Sequence, residues 1–199
     1  MEFDGTFTIE DVSTEEVWLS LSDPYMIKQS LPGCQFLTEV DDPDDVDFEA
    51  LKEAEPDEDP AILPDADPDE VAARGFEEGH HYAALMEISV GAVSPSFRTI
   101  VTIDDWEFPE GGASGTGDAS GSSFEMDSAM TLSEHDGGVD IEWHAEADVF
   151  GRIAQMGQRV INPVANRVVN KFFGNIEAQL TEVAEEESGG LGDRIRGMF

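Results

Sequence analysis

One cysteine, Cys34, stands in 199 residues, which excludes an internal disulfide and any metal site built from several thiolates. Lysine is almost as scarce, confined to Lys28, Lys52 and Lys171. No apolar run approaches the roughly 20 residues needed to span a bilayer. The opening Met1-Glu2-Phe3-Asp4 lacks the basic start and apolar stretch of a secretory leader, so a cytoplasmic location is expected. The Asp-x-Asp-x-Asp-Gly order of a calcium loop is missing, and so is any motif pairing a histidine with a Ser or Cys nucleophile.

What is abundant is acid. Asp and Glu number 45 against 10 Lys and Arg, a formal charge of −35. Such a surface repels phosphate backbones and argues against nucleic acid. Acid occupies nearly every outward-facing strand position, which favours whole-surface adaptation to a saline, halophilic cytoplasm over a patch for one basic partner. In molar salt the Debye length falls to about 3 Å, so this much like charge is tolerable. At 40% hydrophobic content the chain can bury the core of one domain.

Phe3, Gly5, Phe7 and Ile9 alternate with polar residues, the period of a half-buried strand. Ser13 or Thr14 can cap a helix carrying Val17, Trp18 and Leu21, and Asp23-Pro24 opens a second short helix. Leu31-Pro32-Gly33 ends it, and Cys34 to Val40 read as a strand. Residues 41–79, with three Asp-Pro pairs and few large apolar side chains, read as an acidic, loop-like insertion with a helical turn at Pro68 to Arg74. Four alternating segments follow: Tyr82, Ala84, Met86, Ile88 and Val90; Phe97, Thr99, Val101 and Ile103; Phe124, Met126, Met130 and Leu132; and Val139, Ile141, Trp143, Ala145 and Ala147. Each predicts an antiparallel strand with one wet face. His135-Asp136-Gly137-Gly138 marks a hairpin turn.

Between Gly112 and Ser123, Gly115, Gly117, Ala119 and Gly121 recur two apart, so one face of a strand there carries almost no side chain. That suits a sheet that must bend or leave space inside. From Gly151 the period becomes helical, with Ile153, Met156, Val160, Val164, Val168, Phe172, Ile176, Leu180 and Val183 recurring every three or four residues. Thirty-odd residues at 1.5 Å each predict a helix of roughly 50 Å, kinked or broken at Asn162-Pro163. The sum is an α+β domain over residues 1–184, a curved antiparallel sheet around one long C-terminal helix, followed by a tail over 185–199.

That order resembles the helix-grip fold of the START-like (SRPBCC) superfamily and, more narrowly, the carbon monoxide dehydrogenase G-subunit family. Three stretches carry the resemblance: Asp23-Pro24 through Leu31-Pro32-Gly33-Cys34, the Gly115 to Gly121 strand, and Gly151 through Arg159. The insertion and Asn162-Pro163 depart from the family's pattern. The resemblance implies a non-catalytic accessory role beside a molybdenum hydroxylase, in maturation, membrane recruitment or electron delivery. It also implies an apolar ligand such as a lipid or quinone, with no other cofactor and no metal.

The candidate ligand-binding set follows from the predicted faces. Phe97, Val101, Met126, Met130 and Trp143 would face the helix, which contributes Met156, Val160 and Val164, while Gly115, Gly117 and Gly157 leave volume unfilled. Apolar pockets with flexible Met side chains suit isoprenoid or aromatic ligands. No catalytic residues are assigned: His80 and His81 open a strand beside the insertion, His144 faces outward and His135 sits in a turn. A cyclase- or aromatase-like enzyme of this fold would need inward acid–base residues, and a pure protein–protein adaptor would need a filled core. In the tail, Leu191, Arg194, Ile195, Arg196, Met198 and Phe199 form a short amphipathic end suited to docking on a protein groove or the membrane surface.

Overall fold

The computed structural model describes residues 1–181 except 90, 91, 93 and 120. Val90, Val183 and the docking residues Leu191, Arg194, Ile195, Arg196, Met198 and Phe199 lie outside the described residues. The elements run β1 (Glu2–Glu10), α1 (Thr14–Ser22), α2 (Pro24–Ser30), β2 (Cys34–Val40), α3 (Phe48–Ala54), α4 (Pro68–Ala72), β3 (His81–Glu87), β4 (Ser96–Glu107), β5 (Glu110–Ala119), β6 (Ser122–His135) and β7 (Gly138–Gly151). A 3₁₀ turn at Ala154–Met156 and helix α5 (Gln158–Thr181) complete them. The seven strands form one antiparallel sheet in the order β1-β7-β6-β5-β4-β3-β2.

The local chemistry sets the boundaries. Ser13 caps α1 in a capping box: its hydroxyl accepts from the Glu16 N–H, and Glu16 accepts from the Ser13 N–H, satisfying two otherwise orphaned donors. Asp23 caps α2, accepting from the Tyr25 N–H at 3.0 Å, with Pro24 at the first helical position, where its fixed φ fits. At Gly33, φ is +81°, and a Cβ would meet the Glu87 carbonyl oxygen at 2.0 Å. Only glycine lets β2 start this close to the end of β3.

Helix α5 is shorter than the sequence suggests. Strand β7 continues to Gly151, and the chain turns through Gly157 at φ +77° before α5 begins. The helix is 24 residues long, about 36 Å. The expected interruption at Asn162-Pro163 is therefore a correction: Pro163 lies inside a continuous helix, and the break in the pattern falls at Gly157. Proline there removes the N–H that would bond the Arg159 carbonyl and crowds that carbonyl with its ring, a local cost the continuous helix absorbs.

The insertion also departs from expectation. Helix α3 packs Phe48 and Leu51 against Phe36, Ala83, Leu85 and Ile100 on the sheet's outer face, with Phe36 and Phe48 ring centroids 6.2 Å apart. Ile62, Leu63, Ala66 and Val71 join the main core with α1, β1, β7 and the C-terminal half of α5. Acid is abundant here, but the large apolar residues are all buried or half-buried, so the segment is a packed part of the domain.

Two cations pin it. Lys28 of α2 pairs with Glu55 and with Asp59, the latter at 2.7 Å. Arg74 donates to both carboxylate oxygens of Asp23, at 3.0 and 2.6 Å, and to the Ala61 carbonyl at 2.7 Å. Its guanidinium lies 4.9 Å from the Tyr25 ring centroid. The Asp23 side chain is 1% exposed, so Arg74 is its charge partner in a dry place. Arg74→Met should cost about 3 kcal/mol in denaturant unfolding, because it strands a buried carboxylate. Adding Asp23→Asn should recover part of that loss. A single-variant cost under about 1 kcal/mol, the worth of an exposed pair, would contradict this role.

Candidate ligand-binding site

The side chains of β1, β4, β5, β6 and β7 that face α5 align in rows across the sheet. One row reads Trp106, Gly111, Met130, Trp143, Gly5; the next Ile103, Ala113, Ser128, Ala145, Phe3; then Val101, Gly115, Met126, Ala147; then Thr99, Gly117, Phe124, Val149. In the first and last rows the glycines lie under rings. A Cβ at Gly117 would meet Phe124 at 2.2 Å, one at Gly111 would meet Trp106 at 2.7 Å, and one at Gly5 would meet Trp143 at 3.2 Å. These glycines make room for cross-strand aromatics, which is how sheets commonly compensate a bare position.

The second and third rows are different. Ala113, Ser128 and Ala145 are adjacent on three central strands, with Gly115 and Ala147 beside them, and all but buried Gly115 are half-buried. A Cβ at Gly115 would meet nothing closer than the Ile100 carbonyl oxygen at 3.5 Å and Met126 Cε at 3.7 Å. This small-residue patch, flanked by Val101, Met126, Met130 and Trp143, is the candidate floor of a ligand site.

Helix α5 does not close over the patch. Its buried residues are Phe173, Ile176 and Leu180, all in the C-terminal half. The Phe173 ring stacks on Phe7 at 5.4 Å and lies 6.4 Å from Trp143. At the other end Ile161 and Val164 join a small cluster with Phe97, Phe124, Val149 and Ile153, where the Phe97 and Phe124 rings meet edge to face at 5.5 Å. Between those two contacts none of residues 165–172 is fully buried, although Val169 and Phe172 pack half-buried against the main core. Ring contacts therefore flank the small-residue rows at both ends.

The candidate residues therefore separate. Phe97, Val101, Gly115, Met126, Met130 and Trp143 share the helix-facing side of the sheet; Val164 packs at its Phe97 end. Gly117 belongs there but is covered by Phe124. Met156 and Val160 are each 36% exposed. That exposure takes both out of the expected lining, a correction. Gly157 is a turn residue whose Cβ would touch nothing within 4 Å.

Polar groups reach this side too. The Thr99 hydroxyl and Asn162 Oδ1 are buried without a hydrogen-bond partner among the described residues. Thr99 was visible inside an apolar alternation, and Asn162 on a helical stripe, but the adjoining proline drew attention from the amide. Cys34 is a poor nucleophile: burial pushes its thiol from 9.0 up to about 12, and Sγ donates to the Phe36 carbonyl at 3.3 Å. His80 pairs with Glu39 at 2.8 Å on an exposed edge. Among the described residues no cluster of His, Cys, Asp and Glu is placed to hold a metal.

A second concavity of about 440 Å³ lies on the opposite face, between the insertion (Pro43, Val46, Phe48) and Arg98, Ile100 and Thr116 of the sheet. Arg98 there pairs with Asp118 at 2.6 Å. The insertion creates it, and it is separate from the helix-facing chamber.

The sheet order, the two short helices after β1 and the closing helix define a helix-grip fold of the START type. Solved structures share it: a conserved protein from Geobacillus kaustophilus (18% identity, TM-score 0.66, 92% of this chain and 97% of that one); the Zhui aromatase/cyclase from Streptomyces sp. R1128 (10%, 0.57, 96% and 99%); and a START superfamily protein from Mycobacterium smegmatis (9%, 0.55, 92% and 98%). The model of CoxG, the carbon monoxide dehydrogenase G-subunit family, matches residues 74–181, more than half of the chain, and the chain belongs to that family. The glycine strand and Gly151 to Arg159 lie inside the match, while Asp23 to Cys34 precedes it. No curated protein sequence matches the chain.

The glycines give a direct test of where the space is. Gly117→Ala should cost about 1–3 kcal/mol, since Phe124 must move. Gly115→Ala should be neutral or add up to about 1 kcal/mol by stiffening the unfolded chain. Equal thermal shifts for the two variants would contradict the placement of the free volume.

Proposed function

We propose that this protein is a non-catalytic accessory factor that holds one lipid- or quinone-like molecule between sheet and helix and serves a molybdenum-containing oxidoreductase of the carbon monoxide dehydrogenase type. The observation that supports ligand binding is the chamber: small residues on three central strands beneath a helix whose N-terminal half stays half-exposed. An accessory held in its apo form is expected to look under-packed at the place its ligand fills. Family membership supports the dehydrogenase partner. The tail residues Leu191 to Phe199 supply the apolar and basic groups for peripheral membrane contact in this reading; no helix among the described residues is long and apolar enough to cross a membrane.

The likeness to an aromatase/cyclase favours a second reading, in which the chamber turns over its occupant. That chemistry needs an acid–base group on the inner face. The helix-facing residues in the four rows above are uncharged, which is why binding is preferred here.

Native mass spectrometry and solvent extraction of the full chain from its own host separate these. The expected result is a stoichiometric apolar molecule released unchanged, and its loss in Ala145→Leu with the thermal midpoint kept within a few degrees, as a side chain fills the floor. A wild-type protein that carries nothing and binds no added quinone or lipid overturns the reading. Conversion of the molecule on incubation would move the assignment to the enzyme class.

A further inference from the structure

On a chain of formal charge −35, the most exposed large apolar side chain among the described residues is Phe150, at 50%. It lies on the outer face of the sheet, since its neighbour Val149 faces α5 and side chains alternate along a strand. The β6–β7 register sets Phe150 opposite Ser123 and Asp148 opposite Glu125. Residues directly opposite have Cβ atoms about 5 Å apart, and Ser123 and Glu125 both line the concavity between the insertion and the sheet. Phe150 therefore stands at the rim of that concavity, whose apolar wall includes Val46, Phe48 and Ile100. Charges of both signs share the rim. Arg98 pairs with Asp118 there, and Arg152 lies over the β5–β6 turn, its Cδ 2.9 Å from where a Cβ on Gly121 would be. Among the described residues Arg152, Glu125 and Asp148 have no ion-pair partner.

A projecting ring beside an apolar-walled hollow on the same face is a self-complementary pattern. A two-fold rotation carries each ring to the other copy's hollow and closes the assembly at two. We propose that two copies of this chain pair through the outer faces of β4 to β7 and the insertion, with Phe150 of each entering the concavity of the other. The charges favour a second copy as the occupant. Because the rim carries Arg98 and Arg152 beside Asp118, Glu125 and Asp148, the arginines of one copy meet carboxylates of the other across the two-fold axis. Further along β7 the outward positions include Asp140, Glu142 and Glu146, where two copies would set carboxylate against carboxylate. The pairing is independent of the ligand-binding reading, and it leaves α5 and the rows beneath it on the free sides of both copies.

Sedimentation equilibrium of the full chain, in NaCl from about 0.1 to about 1 M, tests this. Two chains of like net charge repel at long range, and the Debye length shrinks from about 10 Å to about 3 Å over that series, so the dimer should tighten about tenfold or more. Phe150→Ser removes the ring, and Thr116→Trp fills the hollow from an exposed lining position. Each should weaken pairing about a hundredfold or more, because each abolishes both copies of the contact, with circular dichroism and the monomer's melting point kept. Mixing the two variants should recover about tenfold, since one chain still offers its ring and the other its open hollow. A monomer at every salt concentration, growth past the dimer, a dimer that neither variant weakens, or a mixture no stronger than its components overturns the inference. A monomer whose binding to phosphatidylglycerol vesicles is lost in Phe150→Ser would assign the face to a membrane and overturn it equally.

Discussion

Phe173 is the point at which the closing helix is held. Its ring stacks on Phe7 of β1 and reaches Trp143 of β7, and Ile176 and Leu180 continue the same buried stripe into the core that α1 and α2 complete. Asn175 adds a hydrogen bond to the Ser30 carbonyl at 2.8 Å, tying the helix to α2. Towards the N-terminus the hold is lighter, through half-buried Ile161 and Val164 in the small cluster with Phe97 and Ile153. Gly157 frees the helix from the strand before it, and the row of Ala113, Ser128 and Ala145 offers no bulk to grip. A helix held most firmly in its C-terminal half, over a floor of small residues, is the arrangement on which the proposed ligand site depends.

The strong negative charge sits around this frame without entering it. Acid falls mainly on the outward strand positions while the four helix-facing rows carry no charge, so one thickness of sheet separates them from most of the net charge. The few cations are used sparingly and inwardly: Lys28 and Arg74 bind the insertion to α2, where burial makes each pair matter more than a surface pair would. Burial also governs Cys34 and Tyr82, whose side chains are both raised to about 12. The folded chain therefore holds protons that the unfolded chain releases near 9.0 and 10.0, so stability falls as pH rises through that window up to about 12.

The architecture was legible because hydrophobic periodicity switches cleanly from two to three-and-a-half, and because Asp23-Pro24, Pro32-Gly33 and the Gly115 strand each specify a local geometry. The site was less so. The glycine spacing pointed to the right strand, but the space lies over Ala113, Ser128 and Ala145, whose adjacency is set by register between strands and not by any one segment. Gly117 looked emptiest and is filled, because a ring from the neighbouring strand lies over it. Val160 fits a three-to-four spacing, but one residue of phase error turns a helical position by about 100°. The insertion misled by composition. Its acid reads as solvated loop, while the unbroken Tyr82 to Met86 run, buried on both faces, was the signal that something covers the outer face of β3.

The claim that α5 is held chiefly by its C-terminal half is tested most directly by amide hydrogen exchange along that one helix in the ligand-free protein. The account predicts that residues 164–169 exchange at least about tenfold faster than residues 173–180, since local opening follows the number of buried apolar contacts, and that a bound amphiphile narrows the gap. Uniform protection from 164 to 180 without ligand would contradict it.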